Sequence, residues 1–264
     1  MDYIKNNKMA WEEAFENRHK NWGDENYLAL NKVKWAFFSE DMQKEIKEID
    51  LKGKKIAQFC CNNGREILSL VKNVSCVGVG FDIAENIINQ AKTTANKAKI
   101  ADCTFIACNI LEIPSKYYNQ FDFIFLTIGA ITWFEDLNIL FQKASKCLKT
   151  NGLLLINDFH PIYNMLALPG EESYNPNSLD KVAYSYFRKE PWIETNGMSY
   201  MSAKYESKPF TSFTHNMSNI INGLSANNLK TIKLNEYDYD ISDSATVYNG
   251  KGFPLSYILI AEKC

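Results

Sequence analysis

Between residues 51 and 157 the chain alternates short, unbroken apolar runs with stretches whose apolar residues recur every three to four positions. The runs are KIAQFC (55–60), SCVGVGF (75–81), CTFIA (103–107), FDFIFL (121–126) and GLLLIND (152–158). A strand covered on both faces has no polar side to show, so these runs read as interior strands of a parallel sheet. The helical stretches are 84–98, with Ile87, Ile88, Ala91 and Ala95 on one stripe, and 136–149, with Leu137, Leu140, Ala144 and Leu148. Parallel neighbours need right-handed crossovers, so this alternation predicts an α/β, doubly wound sheet with helices on both faces.

The tail breaks that rhythm. One more helix stripe carries Met217, Ile220, Ile221 and Leu224, and two strands follow, TIKLNEY (231–237) and LSYILIAE (255–262). No helix signal separates them, so the two are expected to be antiparallel neighbours. The expectation is a seven-stranded, mostly parallel sheet that ends with an antiparallel strand.

Two regions lie outside this core. Residues 1–50 read as helical, with Trp11, Phe15, Arg18 and Trp22 at i, i+4, i+7 and i+11 on one face. Residues 159–213 are rich in tyrosine, phenylalanine and tryptophan, and VAYSYF and MSYMSAKYESK there read as strands laid over the sheet. The domain reading is an N-terminal helical lid (1–50), a core of 51–158 with 214–264, and an aromatic-rich cap insertion (159–213).

Composition removes several classes of function. A net charge of −2 over 264 residues leaves no basic footprint for nucleic acid. No apolar run reaches the length of a membrane span, and MDYIKNNKMAWEE has no signal-peptide core, so the expected location is cytoplasmic. The seven cysteines form no C-x-x-C pair and most sit in apolar runs, so reduced, buried thiols are expected and no metal site.

In an open α/β sheet a ligand binds at the carboxyl ends of the strands beside the first one. There the chain reads QFCCNNGRE (58–66), with one glycine, Gly64. Glycines in such a loop reach left-handed dihedrals and admit a ligand to the backbone. Asparagine tolerates the left-handed region best among other residues, so Asn62 or Asn63 can serve the first purpose. Cys60 is small enough to leave close approach hindered but open.

These motifs resemble the class I S-adenosylmethionine-dependent methyltransferases, small-molecule branch, across about residues 50–160 and more loosely from 210. The resemblance sets Gln58, Cys60, Asn62 and Gly64 on the family's acid-x-Gly-x-Gly-x-Gly positions, so that the motif is degenerate here. VGVGFDIAENIINQAK resembles the second-strand motif and implies Asp82 on the ribose hydroxyls and Ile83 beside the adenine. FIACNILEIP implies Asn109 at the adenine amino group and a backbone contact at Ile110. FDFIFLTIGAITWFEDL resembles the fourth strand with its loop and adds Thr127 to the cofactor contacts, while LKTNGLLLINDFHP resembles the fifth strand. The implied cofactor is S-adenosylmethionine, and the implied partner is a small-molecule substrate, with no nucleic acid and no membrane; a homodimer is allowed.

Plainer readings stand beside these. Asp82 can cap the helix that begins at Ala84, Asn109 can be a turn residue, and the Arg18 stem can lie along apolar surface with its head in water. The sharper reading closes the N-terminal helix over the cleft, with Arg18 on a carboxylate and Tyr27 as a wall. His160 in DFHP and His215 in TSFTHNMS are the candidate bases, each alternatively fixing a loop, and Asp158 either joins them or orients His160. The expected activity is methyl transfer to an oxygen or nitrogen of a small metabolite, and the alternative is binding of S-adenosylmethionine or its product without turnover.

Overall fold

The computed structural model describes residues 3–264. Three helices come first, α1 (Tyr3–Glu16), α2 (Asn26–Lys32) and α3 (Glu40–Lys47). Then β1 (Lys55–Phe59), α4 (Arg65–Val74), β2 (Val77–Asp82), α5 (Glu85–Ala98), β3 (Cys103–Ala107), β4 (Phe121–Thr127), α6 (Leu137–Cys147) and β5 (Leu148–Phe159) alternate as expected. The short strands β6 (Trp192–Glu194) and β7 (Phe210–Ser212) follow, and α7 (Met217–Ala226), β8 (Leu229–Tyr237) and β9 (Ser256–Lys263) close the chain.

The main sheet has seven strands in the order β3-β2-β1-β4-β5-β9-β8. β3, β2, β1, β4 and β5 pair in parallel, and β9 lies antiparallel between β5 and β8. The chain winds outward from β1 to β3 and then returns to place β4 against the other side of β1. The strand order therefore reverses at β1 and β4, and that crevice is where the carboxyl ends of the strands leave room for a ligand.

Each strand feeds both faces, as its apolar run requires. Phe121, Ile124 and Leu126 of β4 pack with Leu140, Phe141 and Ala144 of α6 and with Ile220 and Leu224 of α7. Phe123 and Phe125 point the other way, into a layer with Met42 and Ile46 of α3, Ile67 and Leu70 of α4, and Ile88 and Ala91 of α5.

The cap differs from its expectation. VAYSYF and MSYMSAKYESK run as turns and irregular chain, with one isolated bridge between Ser202 and Arg18. The cap's strands are β6 and β7, paired antiparallel as a separate two-stranded sheet. Both misread segments carry alternating tyrosine and serine, but alternation alone did not give them a sheet to join. The N-terminal stripe also differs: α1 stops at Glu16, which leaves Arg18 and Trp22 in the turn beyond it. Trp11, Phe15 and Trp22 still converge on Ala84, Ile87, Met201 and Phe210. Residues 1 and 2 of the N-terminal segment lie outside the described residues.

Gly80 on β2 shows how tightly the sheet packs against the loop after β1. A Cβ there would stand 2.6 Å from the Phe105 ring and 2.9 Å from the Cys61 sulfur. Gly80→Ala is expected to lower unfolding stability by about 1–3 kcal/mol in urea titrations, because an interior this dense must shift to admit a methyl group. A loss below about 0.5 kcal/mol would show that Phe105 can yield.

Candidate active site

The chain leaving β1 at Phe59 must reverse and enter α4 at Arg65, and it does so on left-handed residues. Cys60 has φ 54°, Asn62 φ 48° and Gly64 φ 72°. The expectation that Asn62 or Asn63 would take a left-handed dihedral is met at Asn62. Cys60, expected only to be small, is left-handed as well, a conformation that costs an ordinary L residue about 1–2 kcal/mol. Gly64 admits no replacement by size either, since a Cβ there would lie 2.3 Å from the Phe105 ring.

What holds the loop is its hydrogen bonding. The Cys61 N–H donates to Phe81 O at 2.9 Å, and the Asn63 N–H to the Asn62 side-chain oxygen at 2.7 Å. The Asn62 N–H donates to Asp82 Oδ2 at 2.8 Å. Asp82 Oδ1 accepts from the Ala84 N–H at 3.1 Å, so this carboxylate joins the loop to the start of α5. Burial raises its pKa, and the N–H groups of Ala84, Asn62 and Ile83 oppose that rise. A carboxylate offers about four lone-pair positions. Asp82 thus bonds the N–H of the N-cap residue Ala84 and not a helical N–H, since α5 has no side-chain cap, and acceptor capacity remains beside it, with half-buried Ile83 adjacent.

Other predicted residues are placed as follows. Gln58 is buried at the end of β1; its Nε2 donates to Thr127 Oγ1 at 2.8 Å and its Oε1 accepts from the Ile67 N–H at 3.2 Å. Gln58 and Thr127 thus tie the two switch-point strands to each other and to α4. Asn109 accepts from the Leu111 N–H at 3.0 Å and caps the short turn Ile110–Glu112, and the Ile110 side chain is in the core. Tyr27 packs in the α4/α5 layer beneath Lys97, at the far end of α5 from the loop, and forms no wall of the crevice. The Arg18 guanidinium stacks 3.9 Å over the Phe15 ring, donates to Phe15 O and approaches Asp24 at 3.9 Å. Its head is held by neighbours of its own segment and not in water, and the carboxylate it approaches is that of Asp24.

Both histidines are bonded. His160 is buried; its Nδ1 accepts from the Ile162 N–H at 3.1 Å, and its Nε2 lies 2.8 Å from Glu236 on β8. With both ring nitrogens engaged it locks the end of β5 to the antiparallel strands. Burial lowers its pKa, and Glu236 opposes that. His215 Nε2 lies 2.9 Å from the Phe134 carbonyl, so Nε2 carries the proton of the neutral ring and Nδ1 is the acceptor. Burial lowers its pKa as well. Asp158 does not orient His160. Its carboxylate accepts from the N–H groups of Gly129 (2.6 Å), Phe159 (2.8 Å) and Ile131 (3.3 Å), fixing the loop that leaves β4.

The crevice also has a wall that the sequence did not mark. Tyr200 of the cap places its hydroxyl 3.0 Å from Asn62 Nδ2, 138 positions away, with its ring near Trp11 and Trp22. It is 55 % exposed although crowded by Arg65, Asp82 and Glu66, as befits a side chain on the wall of a cleft. Trp11 in turn stands edge-on to Trp133 and Phe210. Below, Gln90 on α5 donates to Trp22 O and to Asp24, seating the turn after α1. Among the described residues no cluster of histidine, cysteine or carboxylate groups could hold a metal, and no helix is long and apolar enough to cross a membrane. The cysteines are all free; Cys61, Cys76, Cys103 and Cys147 are buried, and Cys264 is exposed.

A family model described as a methyltransferase domain matches residues 50–202, more than half of the chain. The chain belongs to the methyltransferase domain family. Solved structures agree on the fold of this methyltransferase. An S-adenosylmethionine-dependent methyltransferase from Mesorhizobium loti is 15% identical with a TM-score of 0.62, covering 85% of this chain and 98% of that one. The geranyl diphosphate C-methyltransferase of Streptomyces coelicolor A3(2), solved with Mg2+, geranyl diphosphate and S-adenosyl-L-homocysteine, is 12% identical with a TM-score of 0.58, covering 100% and 99%. An uncharacterized protein of Haemophilus influenzae is 22% identical over 182 residues, which cover 66% of this chain and 66% of that protein.

S-adenosylmethionine is accordingly the cofactor, and the residues of the crevice fit it. Asp82 retains acceptor capacity suited to a vicinal diol, and the left-handed residues at 60, 62 and 64 open the backbone where α4 begins.

Asp158 supplies a pH test of this site. Burial pushes its pKa up to about 6 despite the N–H donors around it. A carboxyl that holds its proton more tightly when folded contributes stability below its unfolded value, near 3.9, and loses it as pH rises through the folded one. Between about pH 4 and pH 7 the parent should therefore lose about 3 kcal/mol relative to Asp158→Asn, a shift of about two units at 1.36 kcal/mol each. Urea unfolding of both proteins across that range measures it, and a flat difference would mean that the N–H groups cancel the effect of burial.

Proposed function

We propose that the protein transfers the methyl group of S-adenosylmethionine to an oxygen or nitrogen nucleophile of a small, partly apolar metabolite. The observation that carries this reading is the carboxylate of Asp82 bonded to the left-handed loop at the strand-order reversal, beneath a wall of Trp11, Trp22, Trp133, Tyr200 and Phe210. The bound cofactor supplies an electrophilic methyl on a sulfonium, so the chain's own task is alignment, exclusion of water and acceptance of a proton.

Alignment falls to Asp82 on the ribose and to the backbone from Cys60 to Gly64. Asn109 and Ile83 flank the adenine end in this reading. Exclusion of water falls to the N-terminal segment and the cap, which meet through Trp11, Tyr200 and Phe210 to form the lid. For the proton, His215 is the better placed of the two histidines, because its Nδ1 is an acceptor while both nitrogens of His160 are engaged. A neutral imidazole with a lowered pKa is ready to accept a proton near pH 7. A small-molecule acceptor suits a crevice walled by aromatic rings. The Streptomyces structure is that of a C-methyltransferase, so the shared fold does not by itself select the acceptor atom.

Asp82→Ala is expected to weaken S-adenosylmethionine binding by about 1–3 kcal/mol in calorimetric titration, since two ribose hydroxyls lose a charged acceptor. Asp82→Asn, which keeps an acceptor oxygen for the Ala84 N–H, should fall between parent and Asp82→Ala. Equal affinity of all three, in folded protein, would end the ribose assignment.

A further inference from the structure

The side-chain amide of Asn62 has one orientation. Its Oδ1 accepts from the Asn63 N–H at 2.7 Å, so Nδ2 is the group that faces Tyr200, 3.0 Å from the hydroxyl. An amide nitrogen only donates, and Tyr200 therefore accepts with its oxygen. The hydroxyl proton points elsewhere, and among the described residues it has no partner. Burial raises the Tyr200 pKa against the opposing charge of Arg65, so the hydroxyl is a donor throughout the neutral range. The side chain is held from both ends. Its ring centroid lies 6.3 Å from that of Trp11 and 6.1 Å from that of Trp22, while the loop fixes its oxygen.

Arg65, the first residue of α4, brings a second donor near enough for its charge to act on that hydroxyl. Its Nε bonds Glu66 Oε1 at 2.7 Å, and its guanidinium carbon sits 5.4 Å from the centre of the Phe37 ring. The two terminal nitrogens have no acceptor among the described residues, and nearly half of the side chain is exposed. The carboxylates nearby are both engaged: Glu66 with Arg65, and Asp82 with the N–H groups of Asn62 and Ala84. What remains between Tyr200 and Arg65 is a set of donors only. A carboxylate accepts from both, and charge-assisted bonds of this kind are the stronger ones.

S-adenosylmethionine carries one carboxylate, on its methionyl end. With Asp82 of β2 on the ribose and Asn109 after β3 at the adenine end, the methionyl end runs back over the loop toward β1 and the start of α4. Tyr200 and Arg65 stand there. Arg18, which the sequence offered for a carboxylate, is committed to Phe15 O and to Asp24.

We propose that Tyr200 of the cap and Arg65 of α4 together bind the carboxylate of S-adenosylmethionine, Tyr200 through its O–H and Arg65 through its terminal nitrogens. The inference rests on the proposed placement of the cofactor, and it ties the cap directly to the ligand that the cap covers. Calorimetric titration with S-adenosylmethionine and with its decarboxylated form isolates this contact. The parent should favour the carboxylate-bearing form by roughly a hundredfold, at about tenfold for each of two bonds to a charged group. Tyr200→Phe keeps the ring and loses the O–H; Arg65→Gln keeps a donor for Glu66 and loses the charge. Each should shrink the preference by roughly tenfold through weaker binding of S-adenosylmethionine alone. Affinity for the decarboxylated form should stay that of the parent, which also shows that each variant is folded. A preference that either variant leaves unchanged, an equal loss for both ligands, or tighter binding by Tyr200→Phe overturns the proposal. A parent that binds neither ligand overturns the cofactor placement itself.

Discussion

The hydrogen bond from the Asn62 N–H to Asp82 joins the ends of the two strands between which the cofactor loop must stand. β1 and β2 are parallel neighbours, and what leaves β1 has to turn into α4 without colliding with Phe105 and Ala91. Three left-handed residues make that turn, and two of them carry side chains that resist the conformation. A loop under such local cost persists only where its surroundings determine it. The Asp82 carboxylate, the Phe81 carbonyl and the Gln58 bridge to Thr127 and Ile67 are those surroundings. The same atoms that stabilise the loop also leave a half-buried carboxylate facing the crevice.

A second set of contacts shapes the crevice from outside the sheet. Glu13 of α1 accepts from the Lys208 backbone N–H and pairs with its ammonium, and Asn7 exchanges two hydrogen bonds with Thr211 of β7. The N-terminal helix and the cap are therefore one layer, joined at the polar rim and at the Trp11 cluster. Tyr200 reaches the loop from that layer. A substrate entering beneath it would meet aromatic rings on the lid side and the Asp158-fixed loop at Gly129 on the sheet side.

The sheet was legible in the sequence because unbroken apolar runs mark strands buried on both faces, and the antiparallel tail because two strands lacked a helix between them. The site was legible where local chemistry dictates conformation: Asn62 as a left-handed asparagine, Gly64 as the residue without a Cβ, Asp82 at a strand end. It was not legible where a side chain's partner lies far along the chain. Nothing near Tyr200 announces Asn62, and nothing near His160 announces Glu236 on the edge strand. Arg18 and Trp22 looked like continuations of the α1 stripe because periodicity carries no signal for where a helix stops; α1 ends at Glu16, where the Asn17 side chain donates to Glu13 O and Arg18 folds back on Phe15. The cap strands failed for the opposite reason, since alternating tyrosines and serines look like a sheet face whether or not a partner strand exists.

The central claim is that a loop with cysteine and asparagine in place of two glycines still holds S-adenosylmethionine at the β1/β4 crevice. A crystal structure of the protein grown with S-adenosylhomocysteine tests it most directly. The account predicts both ribose hydroxyls within hydrogen-bond distance of the Asp82 carboxylate and the backbone from Cys60 to Gly64 against the ligand, with the three left-handed dihedrals unchanged. Ligand bound elsewhere, or a loop that must abandon those dihedrals to admit it, would contradict the account.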